Sequence, residues 1–491
     1  MNLRTAAELM KADASGMGAS LLDQTFAGVA IDSRSVAEGE LFYALSPDEY
    51  RRAGFNGEFP DAHQYLPEAF ARGAVAAVAR RERVTGDPEL EQFRDRLLFT
   101  DDSIHALQTL AHAVYLAWDR KVVGITGSVG KTTAKELTAA VLASGGQRVL
   151  KSERNYNNGL GLPLAVLQMI SGRNEPKNYD VAVLEMGMSS PAHEIRRLCE
   201  ITPPDIGVEL IVAPVHLEHL GSIERIAAAK AELIEGMKPK GVAILNADDK
   251  LVAAMAAKHH GPVLTFGIES EADVRATKIE IGRFGHSRFS LQTPLGRADA
   301  TLALSGHHSI SNALAAAAVA TCFAFGPEQI ARALGGVKSG EKRGQVLRFV
   351  EGFEVIDDSY NSNPRALVGM AQSLAHGGGH AKRVLVVAGE MLELGPDAAQ
   401  LHFEAGRAIA AAGIKELWGV RGLGTELIAG AIAGGLAATQ VKFFDRSEDA
   451  AEALVGDVRS GDLILIKGSR GVRTDLIVTK LQEHYRVEKG D

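Results

Sequence analysis

The sequence predicts an α/β protein of three domains, in which buried strands alternate with helices. At 491 residues, the chain is too long for a single hydrophobic core. Short apolar runs alternate with helical stretches along most of it, which indicates parallel sheets covered by helices. In addition, a small-residue turn at 126–130 lies between an apolar run and a helical pattern, which is typical of an anion-binding turn.

The composition narrows the class of protein. A net charge of −8 argues against a nucleic-acid partner, and no apolar run approaches the roughly 20 residues of a membrane span. The N-terminal segment is amphipathic and carries acidic residues, unlike a signal peptide. With only Cys199 and Cys322, neither a disulfide framework nor a cysteine zinc site is expected. We therefore expect a cytoplasmic monomer.

Residues 1–118 predict a small α/β domain. A helical pattern (LRTAAELMKA) precedes three apolar runs, GVAIDSR, LFYAL and AVAAVARR. Asp32, Ser33 and Arg34 follow the first run, where a Ser-Arg pair can hold a phosphate. A surface turn explains these residues as well, and the residues alone favour it. The polar and aromatic loop at 46–64 suits either a ligand lid or a plain connector.

Residues 119–338 predict a central domain built on a parallel sheet with a phosphate-binding loop (P-loop). The apolar run at 122–125 predicts a strand, and the pattern AKELTAAVLAS predicts the helix that follows the turn. Ile125 replaces the first glycine of the usual G-x-x-x-x-G-K-[ST] pattern. A chance GKT in a loop is the alternative, but the flanking strand and helix favour a site in which backbone N–H groups and a lysine bind phosphate and a hydroxyl binds Mg²⁺. The predicted cofactor-binding residues are Thr126, Gly127, Ser128, Val129, Gly130, Lys131, Thr132 and Thr133.

Three further residues of this domain are candidates for metal or phosphate binding. Glu185 ends an apolar run beside the glycine loop, where a carboxylate is well placed for Mg²⁺. His216 lies just beyond the next predicted strand, as a metal ligand or a phosphate contact. Lys230 lies in a helical pattern, where a lysine is usually a surface residue.

Asparagines near predicted helix starts allow two interpretations. Asn155, Asn157 and Asn158 crowd the loop before one helix, and Asn312 begins a nearly all-apolar one. Turn or capping roles are the commoner case, whereas contacts with a ligand's polar groups are the alternative. For Asn312 that ligand group would be a base or a ribose.

Residues 339–491 predict a Rossmann-like, doubly wound domain. The glycine-rich, charged stretch at 336–349 is interpreted as the linker to it. Strands and helices then alternate, which predicts a parallel sheet that binds ligands at the carboxyl ends of its strands. Polar clusters fall at three such ends, at 357–361, 389–391 and 467–470. They favour a second substrate face over a P-loop protein that only hydrolyses nucleotide.

Nine motifs spread along nearly the whole chain resemble those of the Mur ligases. They are TGSVGKTT at 126–133, NYNN at 155–158, LEMG at 184–187, HLE at 216–218, AKA at 229–231, NADD at 246–249, SNAL at 311–314, DDSYNSNP at 357–364 and KGSR at 467–470. The resemblance implies an ATP-dependent, amide-forming enzyme of cytoplasmic peptidoglycan precursor synthesis. DDSYNSNP and NYNN are most similar to the members that join D-alanyl-D-alanine to UDP-N-acetylmuramoyl-tripeptide through an acyl phosphate.

The resemblance also implies cofactors and residue roles. ATP and two Mg²⁺ ions are expected, with Lys131 and Thr132 at the phosphates and the first ion, and Glu185 and His216 at the second. Lys230 matches a lysine that is carbamylated in several members, where the added carboxylate helps to bind that second ion.

Other roles concern the nucleotide and the substrates. Asn312 and Asp358 would contact adenine and ribose. Asp32, Ser33 and Arg34 fall where the family binds the UDP end, which reverses the preference for a surface turn. Arg343 would sense phosphate, although its segment, 341–344, replaces the usual Pro-Gly-Arg. The remaining expected substrate contacts are Asn155, Asn158, Tyr360, Asn361, Asn363, Lys467, Ser469 and Arg470. Lysine and diaminopimelate stay open as the third residue of the tripeptide.

Overall fold

The computed structural model contains three β-sheets that follow one another along the chain. None of its described helices is both long and apolar enough to cross a membrane. The structure describes residues 1–55, 58–153, 156–188, 193–214, 220–282, 286–304, 306–337, 340–379 and 381–488.

The first sheet has four parallel strands in chain order, and the three predicted apolar runs of residues 1–118 contain the first three of them. Its strands are β1 Val29–Ala30, β2 Leu41–Tyr43, β3 Ala76–Ala79 and β4 Leu97–Phe99. Its helices are α1 Leu3–Met10, α2 Ala19–Leu22, α3 Pro47–Arg52, α4 Leu66–Ala71, α5 Arg81–Val84, α6 Pro88–Glu91 and α7 Ser103–Trp118. Side chains of Asn2 and Asp102 accept backbone N–H groups at the starts of α1 and α7, which fixes where these helices begin.

The second sheet has nine strands in the order β13-β12-β11-β10-β9-β8-β5-β7-β6. Its strands are β5 Lys121–Thr126, β6 Val149–Lys151, β7 Val181–Glu185, β8 Ile206–Glu209, β9 Val242–Asn246, β10 Val263–Gly267, β11 Val274–Ile281, β12 Ser287–Thr293 and β13 Gly296–Leu302. Its helices are α8 Lys131–Ser144, α9 Gly161–Leu167, α10 Glu194–Ile201, α11 Ile223–Gly236, α12 Lys250–Ala253, α13 His307–Thr321 and α14 Pro327–Gly335. The P-loop strand, β5, lies between β7 and β8.

The central sheet is parallel from β6 to β11, but β12 and β13 are antiparallel additions that the sequence interpretation did not include. Strands β11, β12 and β13 follow one another with connections too short for a crossover helix, so each must reverse direction. This edge of the sheet lies away from β5.

The third sheet has six strands in the order β14-β15-β19-β16-β17-β18. Its strands are β14 Gln345–Arg348, β15 Glu354–Asp358, β16 Arg383–Gly389, β17 Glu416–Val420, β18 Val441–Phe444 and β19 Asp462–Lys467. Its helices are α15 Pro364–Gly377, α16 Ala398–Ala411, α17 Gly424–Ala433, α18 Ser447–Asp457 and α19 Asp475–His484. Separate apolar clusters pack α15 to α17 and α18 to α19 against the sheet, which matches the predicted doubly wound arrangement. The interpretation of 336–349 as a linker is wrong at its end, because β14 pairs antiparallel with β15.

The first two sheets share one hydrophobic cluster, which runs from Leu3 through Trp118 to Met255. Polar contacts cross the same junction: the Trp118 indole N–H donates to the carbonyl oxygen of Tyr179 at 3.0 Å. The N-terminal unit is therefore packed firmly against the central one.

Candidate active site

The P-loop joins the end of β5 to the start of α8. Gly127 and Gly130 have φ angles of +152° and +88°, and a Cβ on Gly130 would lie 2.5 Å from Asn312 Oδ1. The Ser128 N–H donates to the carbonyl oxygen of Ile211 at 2.7 Å, which ties the loop to the segment after β8. Glycine is thus required by both backbone and space, and the loop presents the N-terminus of a 14-residue helix, a favourable place for an anion.

Lys131 places a positive charge at this loop. Its Nζ donates to the carbonyl oxygen of Gly127 at 2.7 Å. Burial lowers the pKa of Lys131, while the carboxylates of Glu185 and Glu209 oppose that shift. Two carboxylates therefore act on the charge of the ammonium group at the point where phosphate oxygens would arrive.

Glu185, at the end of β7, is nearly buried and is held through both oxygens. Thr132 Oγ1 donates to Oε2 at 2.8 Å, and Asn157 Nδ2 donates to Oε1 at 2.8 Å. The Glu185 N–H donates to Ser152 Oγ at 3.1 Å. A hydroxyl and a carboxylate that converge beside a phosphate-binding loop are the hard oxygen donors that Mg²⁺ takes, so this pair fits the ion.

Lys230 and Glu209 form a second polar pair in the interior of this domain. Lys230 is 2% exposed, which excludes the surface alternative, and burial lowers its pKa to about 7. Glu209, at the end of β8, is 0% exposed, and burial raises its pKa to about 8. Glu209 was missed in the sequence, where it lies inside the apolar run GVELIV. The available signal was an acid at the end of a strand beside the P-loop strand.

The structure separates the asparagine candidates by what their side chains touch. Asn157 contacts Glu185, although the resemblance implies substrate contacts only for its neighbours Asn155 and Asn158. Asn158 Oδ1 accepts the Gly161 N–H at 2.8 Å at the start of α9, which is a capping contact. Asn155 and His216 lie outside the described residues.

A polar pair marks the third sheet. Asp358 and Lys467 are register partners on β15 and β19, and Lys467 Nζ donates to Asp358 Oδ2 at 2.6 Å and to the carbonyl oxygen of Asn361 at 2.9 Å. Asn363 Oδ1 accepts the Ala366 N–H at the start of α15. These contacts hold the 359–363 loop beside the strand ends.

Two neighbours on the 467–470 turn differ in exposure. Ser469 is buried, and its Oγ accepts the Leu392 N–H at 3.0 Å, whereas Arg470 is exposed. Arg470 is thus the residue of this turn that is open to a ligand.

The end of the third sheet that carries Asp358 and Lys467 faces the P-loop. The Arg343 guanidinium lies 3.8 Å from the centroid of the Tyr360 ring, and its charge contributes to lowering the pKa of Lys131. A Cβ on Gly306 would lie 2.7 Å from Ser373 Oγ, so the start of α13 also meets α15 closely. Arg343 therefore contacts the third-sheet face at Tyr360, and its charge acts on Lys131 of the P-loop.

The N-terminal candidates form a separate surface site at the end of β1. Arg34 donates to the carboxylate of Asp32 at 2.7 Å, and this hydrogen bond lowers the pKa of Asp32. Ser33 Oγ donates to Glu68 at 2.8 Å. The Arg34 side chain is 80% exposed, so its guanidinium is accessible to a ligand phosphate.

A P-loop that faces polar strand ends on another sheet is typical of a nucleotide-dependent enzyme with a second substrate. Residues 125–320 match the Mur ligase middle domain, and residues 342–470 match the glutamate ligase domain of Mur ligases. The chain belongs to the Mur ligase family, and within it to the group of UDP-N-acetylmuramoyl-tripeptide–D-alanyl-D-alanine ligases.

Three similar proteins illustrate this assignment. The chain is 34% identical over 457 residues to the UDP-N-acetylmuramoyl-tripeptide–D-alanyl-D-alanine ligase of Bacillus subtilis, and the match covers 93% of each chain. A crystal structure of MurF from Acinetobacter baumannii superposes with a TM-score of 0.83 at 27% identity and 98% coverage of both chains. MurF ligase from Thermotoga maritima in complex with ADP superposes with a TM-score of 0.78 at 26% identity, covering 95% of this chain and 99% of that one.

Proposed function

We propose that the protein is an ATP-dependent ligase that joins D-alanyl-D-alanine to UDP-N-acetylmuramoyl-tripeptide in peptidoglycan precursor synthesis. The observation that carries the proposal is the P-loop, in which the Thr132 hydroxyl donates to Glu185 and the Lys131 ammonium donates to the carbonyl oxygen of Gly127. The chain also matches a relative of that name over about nine-tenths of the relative's length. The ADP complex of the Thermotoga maritima relative supports the P-loop as the ATP site.

The first chemical step is transfer of the γ-phosphoryl group to the tripeptide carboxylate, because a carboxylate is a poor electrophile. The loop N–H groups and Lys131 bind the phosphates and offset their charge. Thr132 and Glu185 would hold one Mg²⁺, and His216 and Lys230, again with Glu185, a second. When bound, the ions neutralise charge on the transferred group.

The second step is attack of the D-alanyl-D-alanine amine on the acyl phosphate, with release of phosphate. We assign the amine side to the third sheet, where the Asp358–Lys467 pair joins the ends of β15 and β19. The candidate contacts lie on the segments that follow these two strands: Tyr360, Asn361, Asn363, Ser469 and Arg470. Arg343 contacts Tyr360 on this face and acts electrostatically on Lys131, which supports its proposed role as the residue that senses phosphate.

Each of the three predicted domains has a separate binding role in this reaction. Residues 1–118 bind the UDP end through Asp32, Ser33 and Arg34, residues 119–338 bind ATP, and residues 339–491 bind the incoming dipeptide. Closure of the C-terminal domain over the central one would exclude water from the acyl phosphate. The hinge for it is predicted near 337–344, of which residues 338 and 339 lie outside the described residues. Solution scattering should show compaction with substrate and ATP analogue, and an unchanged radius would contradict it. The nucleotide-linked substrates and two free cysteines fit a cytoplasmic enzyme, and we propose a monomer.

Lys131→Ala tests the assignment of the two binding regions. Ligation should be lost, because the substitution removes the ammonium group at the loop. Isothermal titration should show unchanged binding of UDP-N-acetylmuramoyl-tripeptide, which the N-terminal unit recognises. Loss of that binding would contradict the division of labour. Assays with the lysine and the diaminopimelate tripeptide identify the natural third residue.

Lys230 has the environment of a lysine that accepts a carboxyl group. With its pKa lowered to about 7, a large share of its amine is neutral at pH 7. The neutral amine can add CO₂ and release a proton to form a carbamate. Lys230→Ala should lower activity, with partial rescue by short carboxylates, and unchanged activity would contradict the role.

A further inference from the structure

Three buried oxygen atoms beside the P-loop have no hydrogen-bond partner among the described residues. They are both carboxylate oxygens of Glu209 and the hydroxyl oxygen of Thr126. Both residues are 0% exposed. A buried carboxylate without partners loses its hydration and gains no hydrogen bond in exchange, which destabilises the charged group. Such groups in a folded protein therefore call for an explanation, such as a ligand or ion.

The sheet brings the two side chains together. Thr126 and Glu209 are register partners on the neighbouring strands β5 and β8. Two residues earlier on these strands, Gly124 and Gly207 both face Leu233 of α11, with Cβ positions 3.1 and 3.6 Å from its side chain. Because side chains on a strand alternate between faces, Thr126 and Glu209 point to the same face, which α11 covers. Lys230 lies on that helix.

Glu185 lies on the opposite face. It is the register partner of Ile125, the residue before Thr126, on β7. Val181 and Val183, which alternate with it, pack in the apolar cluster beneath α8. The P-loop strand is thus flanked by a carboxylate on each side, and each carboxylate acts on the charge of Lys131.

The electrostatic environment of Glu209 contains two positively charged side chains. Lys131 and Lys230 are the cations that act on Glu209, and neither donates a hydrogen bond to it. A carboxylate and a hydroxyl are also the donors that hard divalent cations prefer.

We propose that Glu209 is a carboxylate ligand of a divalent cation on the Lys230 side of the P-loop, with the Thr126 hydroxyl beside it. The inference rests on the proposed function, because the nucleotide phosphates complete the coordination of the ion. It adds Glu209, beneath α11, to the ligands Glu185, His216 and Lys230 that are proposed above for the second ion.

Counting bound Mn²⁺ by electron paramagnetic resonance, with a non-hydrolysable ATP analogue present, tests the proposal. The wild-type protein should bind two ions. Glu209→Gln keeps the shape but removes the charge, and it should lose one ion or bind it at least about tenfold more weakly. Asp205→Asn is the matched control, since Asp205 lies just before the amino end of β8 and pairs with Lys238 there. If Glu209→Gln bound two Mn²⁺ ions as tightly as the wild-type protein and Asp205→Asn do, the proposal would be overturned.

Anomalous diffraction from wild-type crystals with Mn²⁺ and the analogue gives a second test that needs no variant. A peak at coordination distance from the Glu209 carboxylate is expected, and a water molecule or no density there would refute the assignment. The proposed function is tested separately by substrate-dependent phosphate release. An active enzyme without a metal at Glu209 would refute only this inference, whereas a metal at Glu209 in a protein without ligase activity would refute only the function.

Discussion

Gly130→Ala should weaken nucleotide binding, whereas Gly146→Ala should lower the stability of the fold without weakening nucleotide binding. Gly130 has a φ of +88°, and an added Cβ would lie 2.5 Å from Asn312 Oδ1, closer than such contacts allow. Gly146, beyond the other end of α8, has a φ of +87° and no heavy atom within 4 Å of its added Cβ. Both alanine substitutions incur the left-handed backbone cost of about 1–2 kcal/mol. Only Gly130→Ala must also displace the buried Asn312.

The displacement should cost nucleotide affinity. Moving Asn312 or the loop misplaces about one hydrogen bond to the nucleotide, worth about 1–3 kcal/mol, which corresponds to roughly five- to 150-fold weaker binding. Isothermal titration with a non-hydrolysable ATP analogue and Mg²⁺ measures it, and Gly146→Ala should bind like wild type. Thermal unfolding without nucleotide should show both variants destabilised. Equal affinities for the two variants would refute the account of the loop.

The remaining predictions concern the other polar contacts and the thiols. Asn157→Ala removes a hydrogen bond to Glu185 and should lower kcat about ten- to hundredfold with unchanged UDP-substrate binding, and an unchanged kcat would count against it. Lys467→Met leaves Asp358 without its cation and should cost about 3 kcal/mol in urea unfolding, partly recovered by Asp358→Leu in the same chain. Burial raises the pKa of the two cysteine thiols to about 12 and about 11, so iodoacetamide at pH 8 should modify neither in the native protein and both in urea.

The sequence predicted best those features that depend on neighbours along the chain. The P-loop lies within eight consecutive residues, and both the strand before it and the helix after it follow from apolar spacing. Glu185 at a strand end could be placed near this loop because parallel strands end at one edge. In the same way, alternating strands and helices predicted the doubly wound third sheet.

Features that depend on contacts between distant segments could not be predicted in this way. Nothing in the order Asn-Tyr-Asn-Asn shows that Asn157 reaches Glu185 while Asn158 caps a helix. Glu209 lies among apolar residues, and its importance comes from complete burial between strands and α11. Likewise, Lys230 resembles a surface lysine in a helical pattern until the packing of that helix is known.

Phosphate release from ATP, measured with and without each substrate, tests the central claim most directly. The account predicts release only when UDP-N-acetylmuramoyl-tripeptide and D-alanyl-D-alanine are both present, with formation of the pentapeptide product in equal amount. Release that is independent of D-alanyl-D-alanine, or full release with no amide product, would contradict the claim that this site forms an acyl phosphate for attack by the dipeptide amine.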